Sequence, residues 1–100
     1  MVITLCGSTK FKRQFEEMNR ILTLEGHVVL SVGVWCHSGD TVTKGEKRML
    51  DRIHKLKIDM SDAIYVLNVG GYIGESTRSE IEFAKAHDKK IMYLEDEHAI

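Results

Sequence analysis

Ala63-Ile64-Tyr65-Val66-Leu67-Asn68-Val69, then Gly70-Gly71-Tyr72-Ile73-Gly74, then Thr77-Arg78-Ser79-Glu80-Ile81-Glu82-Phe83-Ala84, is the stretch that decides the fold. The first seven residues form the most apolar run in the chain. A short continuous apolar run bounded by turn residues reads as a strand buried on both faces. The glycine-rich loop ends it. From Thr77 to His87 the spacing becomes helical, with Ile81 and Ala84 on the inward side.

The same alternation extends in both directions. Val2–Leu5 is an apolar run bounded by Gly7 and reads as a strand. Thr9–Glu25 carries Phe11, Phe15, Met18 and Leu22 at helical spacing, and Gly26 supplies the stop. His27–Val32 is a second β-branched run. Gly33–Gly45 reads as a loop, with Gly39-Asp40 as a turn signal. Glu46–Ser61 places Met49, Ile53, Leu56 and Met60 on one helical face, and Ile91–Leu94 is a fourth strand. The order is βαβαβαβ. Apolar strands alternating with amphipathic helices imply a parallel sheet covered on both faces. Right-handed crossovers then favour a small doubly wound α/β sheet of about four strands, ordered 2-1-3-4, in a single domain over residues 1–100.

Composition bounds the function. At 100 residues the chain is one domain, and its 43% hydrophobic and 29% charged content is that of a globular protein, not a disordered tail. The formal net charge of -1 lacks the basic footprint of sequence-independent nucleic-acid binding. Six basic and two acidic residues lie between Lys44 and Lys57, either a solvated helix face or a rim that attracts a phosphorylated ligand. Cys6 and Cys36, 30 residues apart and without a CxxC pattern, make neither a disulfide framework nor a zinc motif, so free thiols and no metal are expected. No apolar run approaches a membrane span, and the N-terminus lacks the basic start and apolar core of a signal peptide, so a cytoplasmic location is expected.

In a doubly wound sheet the ligand crevice opens where successive strands depart in opposite directions, here between the first and third strands. Cys6-Gly7-Ser8-Thr9-Lys10 and Asn68 through Glu80 converge there, the latter including Gly71 and Tyr72. Both segments lead into helix N-termini, whose free N–H groups favour anions. Gly7-Ser8-Thr9 fits neither the P-loop nor the GxGxxG pattern, and is equally a turn glycine followed by a helix cap. Glu80 has two readings. Thr77-Arg78-Ser79-Glu80 fits a capping box. At the crevice mouth the same carboxylate suits nucleophilic or general-base work.

The segments Leu5-Cys6-Gly7-Ser8-Thr9, Asp62-Ala63-Ile64-Tyr65-Val66-Leu67 and Thr77 through Ala84 resemble the nucleoside 2-deoxyribosyltransferase family, which includes deoxynucleoside monophosphate N-glycosidases. Gly70 to Ala84 looks like a small branch of it. The resemblance spans roughly Val2 to Leu94 and rests on the order and spacing of short motifs. It implies a flavodoxin-like fold and cleavage of the bond between a base and a deoxyribose. It places the family's catalytic glutamate on Glu80. It places the 5′-phosphate segment on Ser8, Thr9 and Lys10, after Cys6 and Gly7. It implies no cofactor, a nucleoside or nucleoside monophosphate as ligand, and a homo-oligomer that completes its pockets across an interface. The sequence departs from the pattern at Glu82, where the family has glycine. It departs again at His54, where hydrolase relatives have aspartate, with Asp51 or Asp59 as substitutes only if the helix register differs.

Cleaving an N-glycosidic bond builds positive charge on the sugar, which a carboxylate stabilises or captures. Glu80 takes that part, and His54 is a candidate general acid or simply a surface histidine. Trp35, Tyr72 and His37 are candidates to stack on a base, with core packing as the alternative for Trp35. Arg78 offers a guanidinium fork to a phosphate. A nucleotide-binding module without turnover is the alternative function; an FMN electron carrier is a weaker one.

Overall fold

The structure, a computed structural model, describes residues 1–95. Four strands form one parallel sheet: β1 (Val2–Cys6), β2 (Val28–Leu30), β3 (Ala63–Val66) and β4 (Lys90–Tyr93), in the order β2-β1-β3-β4. Three helices connect them: α1 (Lys12–Leu24), α2 (Lys44–Asp59) and α3 (Glu75–Ala86). The expected sheet order and parallel pairing are the observed ones. Among the described residues no helix is long and apolar enough to cross a membrane. The polar segment from Asp96 onward lies outside them.

The core has two layers because strand side chains alternate between faces. Ile3 and Leu5 point to one face, where they meet Ala63, Leu67 and, from α1, Phe15 and Leu22. Cys6 points to the other, where it meets Ile64 and Val66, Ile58 of α2, and Ile81 and Ala84 of α3. The chain leaves β1 toward β2 through α1 on one face and returns to β3 through α2 on the other. The two central strands therefore splay their outgoing loops apart, which opens a crevice at their carboxyl ends.

Local differences from the sequence reading have physical causes. The first helix begins with a short 3-10 turn, Thr9–Phe11, because the Ser8 hydroxyl accepts from the Lys10 N–H and sets a cap there. β2 is shorter than expected and lies at the sheet edge. α2 starts at Lys44, inside the segment read as loop. Thr43 and Glu46 form a reciprocal capping box, with the Glu46 N–H 3.1 Å from the Thr43 hydroxyl and the Thr43 N–H 2.9 Å from the Glu46 carboxylate. α3 starts at Glu75 with Gly74 as its cap, so Thr77 and Glu80 do not form a capping box. Glu80 lies in the second turn and has no capping duty.

The apolar stripe of α2 is turned outward. Met49, Ile53, Leu56 and Met60 are 42%, 37%, 55% and 71% exposed. The buried face of the helix carries His54 and Ile58 instead.

Candidate active site

A cleft of about 220 Å³ opens at the carboxyl ends of β1 and β3. Gly7, Ser8 and Thr9 line one side; Val32, Val34 and His37 from the loop after β2 line another. Lys47, Asp51, Ile53, His54 and Lys57 come from α2; Tyr72 and the start of α3, from Gly74 to Thr77, complete the rim, with Glu80 also on the wall. The volume lies just below the ~300–1,000 Å³ of drug-sized pockets, a scale for one nucleoside and not a dinucleotide.

Gly7 makes the close approach of β1 to β3 possible. A Cβ there would stand 3.2 Å from both the Cβ and the carbonyl oxygen of Leu67. Beyond it, Thr9 knits the first rim to the loop after β2. Its hydroxyl lies 2.7 Å from His37 Nδ1 and accepts from the His37 N–H, while the Ser38 hydroxyl donates to its carbonyl. On the far rim Gly74 gives α3 no side-chain cap, so the free N–H groups of the first turn open beside Ser76 and Thr77. Lys47 reaches across this rim, 2.7 Å from Asp51 and 3.4 Å from the Ser76 hydroxyl.

Glu80, His54 and Cys6 meet at the inner end. Glu80 and His54 are each 8% exposed and Cys6 is fully buried. The His54 Nε2–H donates to the Leu5 carbonyl at 3.0 Å, which fixes the tautomer. The same nitrogen stands 3.7 Å from Cys6 Sγ and 4.0 Å from Glu80 Oε1. Burial pushes the Glu80 carboxyl up to about 7; the Cys6 contact opposes this, Asp51 adds to it, and Lys47 and Lys55 oppose it. Burial, with the neighbouring Lys57 charge, lowers His54 to about 4. Burial, and after it Glu80, raises the Cys6 thiol well above its ordinary value. His54 and Glu80 are therefore not an ion pair near neutrality: the imidazole is neutral and the carboxyl is the group that holds the titrating proton.

That arrangement leaves the His54 imidazole without the extra proton that a general acid delivers near neutrality. It is not a surface histidine: it is buried, and its one N–H is committed to the Leu5 carbonyl. The ligand atoms of Cys6, His54 and Glu80 lie within 4.8 Å of one another, a spacing that suits a cation, although no CxxC or HxxxH pattern announces it. The thiol is held protonated and the imidazole nitrogen is already donating, so the trio is built as a hydrogen-bonded cluster.

Of the other predicted residues, Gly7, Ser8, Thr9 and Tyr72 line the cleft. Cys6 lies beneath it. Lys10 does not line it, but its ammonium stands 3.7 Å from the Tyr72 ring centroid, a cation–π contact at the mouth. Trp35 packs edge-on against Phe15 at 5.3 Å, in the α1 layer of the core, so the core alternative holds for it. Asn68 is buried and exchanges hydrogen bonds of 2.8 and 2.9 Å with the Glu95 backbone, fastening the end of β4 instead of facing the cleft. Gly71, at φ 82°, serves the turn. Arg78 is exposed on α3, away from the cleft. The reading passed over Lys47, and it admitted Asp51 only if the helix register shifted. Asp51 reaches the cleft with His54 still in place, because i and i+3 share a helical face. The signal for Lys47 was the basic run on α2.

The fold is similar to that of a solved structure. The CMP N-glycosidase BcmB of Clostridium botulinum superposes with a TM-score of 0.65 at 20% identity, over 93% of this chain and 70% of that one. The likeness establishes a shared fold. No family model and no curated protein matches the chain.

Proposed function

We propose that the chain binds a nucleoside or nucleoside monophosphate in this cleft and cleaves the bond between base and sugar, with Glu80 as nucleophile. The observation that carries the reading is a buried carboxylate free of any capping role, at the inner end of a cleft whose rim is an uncapped helix start flanked by Ser76, Thr77 and Lys47. The two ends suit opposite charges. A helix N-terminus with hydroxyls and an ammonium favours a phosphate. A desolvated carboxylate favours the positive charge that develops on the sugar. The fold shared with a CMP N-glycosidase supports the same class of substrate.

The chemistry runs in two steps. A Glu80 carboxylate oxygen bonds to the anomeric carbon as the carbon–nitrogen bond breaks and its electron pair leaves with the base. Water, which gives up a proton to solvent, or the nitrogen of a second base then attacks the same carbon, the ester bond breaks, and the carboxylate is restored. The departing base takes its proton from solvent, since His54 has none to give near neutrality. His54 acts as a positioning residue through Leu5 and Cys6. That missing acid favours a second reading, a nucleotide-binding module without turnover.

Incubation with CMP, dCMP and other nucleoside monophosphates at pH 8, with chromatography for free base and calorimetry for binding, separates the two. Cleavage by the parent and none by Glu80→Gln, with affinity kept within a few fold, is the expected result. Binding without cleavage leaves the module reading. Full turnover by Glu80→Gln overturns the role of Glu80, and no binding of any nucleotide overturns both readings.

A further inference from the structure

Cys6, His54 and Glu80 bring a thiol, an imidazole and a carboxyl to one buried point. They come from three elements: the end of β1, the middle of α2 and the second turn of α3. His54 Nε2 stands 3.7 Å from Cys6 Sγ, 4.0 Å from Glu80 Oε1 and 3.0 Å from the Leu5 carbonyl oxygen. Ligand atoms bonded to one zinc ion at about 2.0–2.3 Å in a tetrahedron lie roughly 3.3–3.7 Å from one another. Shifts of less than about 1 Å would therefore close these donors round an ion, with the Leu5 carbonyl as the fourth. Among the described residues no other three Cys, His, Asp or Glu side chains converge in this way. From this geometry we infer that the cluster is a binding site for a single thiophilic divalent cation of the zinc class.

Donor chemistry selects the ion. Calcium and magnesium take oxygen ligands, whereas a thiolate beside an imidazole suits zinc and its neighbours. The cation takes the place of the protons that hold the cluster together. The thiol gives its proton to solvent as Sγ bonds to the ion, and so does the carboxyl wherever it still carries one. The imidazole proton moves from Nε2 to Nδ1, so the ring bonds through Nε2 in its neutral form. Two anionic ligands then cancel the double positive charge, and a neutral unit suits a buried place. Glu80 and His54 both lie on the cleft wall, which gives the ion its way in. The ionisations described above are those of the metal-free protein. On the base-cleaving reading proposed above, the bound ion is an inhibitor, because it holds the carboxylate oxygen that would bond to the anomeric carbon.

Titration of the full chain, free of any histidine tag and stripped with a chelator, tests the site with zinc by calorimetry and with cobalt by absorbance. One zinc per chain is expected, and cobalt should give the near-ultraviolet charge-transfer band of a thiolate ligand. Cys6→Ser should abolish that band. Cys6→Ser and His54→Gln should each weaken zinc binding at least about 100-fold, since each removes a direct ligand and even the outer partners of such ligands are worth about 10–100-fold. Gln at 54 keeps a donor for the Leu5 carbonyl, so this variant serves if circular dichroism shows that Cys6→Ser has not folded. Cys36→Ser, which alters the other thiol near the cleft, should bind zinc as the parent does. No zinc bound at about 100 μM, a cobalt complex without the thiolate band, or unchanged affinity in a folded Cys6→Ser or His54→Gln protein would each overturn the site. Loss of binding in Cys36→Ser would overturn it too. These readings stand whether or not any nucleotide is cleaved. Where one is, zinc should suppress cleavage over the range in which it binds, and full turnover at saturating zinc would remove Glu80 from the ligands.

Discussion

Replacing Glu80 by Gln is expected to stabilise the fold at alkaline pH and to leave it nearly unchanged in acid. In the folded chain the carboxyl ionises near 7, against 4.5 when free. Between those values the folded state holds a proton that the unfolded chain has lost. The group's contribution to stability is therefore full below pH 4.5 and is lost as the pH rises through about 7. A shift of this size corresponds to about 3 kcal/mol at pH 8 and less than about 1 kcal/mol at pH 5, at 1.36 kcal/mol per unit. Gln keeps the shape and a polar end but cannot ionise, so it is spared that loss. Urea unfolding at pH 5, 6.5 and 8, at one protein concentration, reads the difference directly. With a slope of about 1–3 kcal/mol per molar, the midpoint of the variant should exceed that of the parent by about 1–3 M at pH 8. His54 contributes equally to both proteins and drops out of the comparison. Parallel pH profiles for parent and variant would refute the buried, proton-holding Glu80. A variant that is less stable at pH 8 would do so more strongly.

Three further outcomes follow from the same cluster and its frame. His54 is depressed to about 4 from 6.5, so its contribution is present above pH 6.5 and lost as the pH falls through about 4; His54→Gln, which keeps a donor for the Leu5 carbonyl, should flatten the acid limb of the unfolding profile. If Glu80 attacks as a carboxylate, kcat/KM of the parent should rise with pH and level off above about 7, and a profile flat from pH 5 to 8 would count against it. Gly7→Ala should cost about 1–3 kcal/mol in urea unfolding, because its Cβ presses on the Leu67 Cβ and backbone carbonyl at 3.2 Å, and an unchanged midpoint would mean that the two strands can spread.

The βαβαβαβ order, the parallel sheet and its 2-1-3-4 arrangement were legible in the chain itself. Apolar runs such as Ala63–Val66 and the helical spacing around Phe15 and Leu22 are local, and the handedness of crossovers leaves few topologies to choose from. The place of the cleft followed from that topology, and with it Gly7, Ser8, Thr9, Tyr72 and Glu80 on its wall. Where two local patterns competed, the sequence could not choose. Thr77 through Glu80 spells a capping box, yet α3 begins at Gly74, and the freed carboxylate becomes available for chemistry. Thr43 through Glu46 spells another inside an apparent loop, and there the box forms. Side-chain partnership was decided by tertiary structure alone. Trp35 found Phe15 and Asn68 found Glu95 because packing across the sheet brings together residues whose sequence separation carries no signal. The direction of α2 was decided there too. Its apolar stripe and its His54 face are both visible as periodicities, and only the docked helix reveals that the polar-centred face lies against the sheet while the apolar one meets solvent. The inversion of His54 and Glu80 has the same origin: each has an ordinary ionisation in the free chain, and burial in one desolvated cluster moves the two in opposite directions.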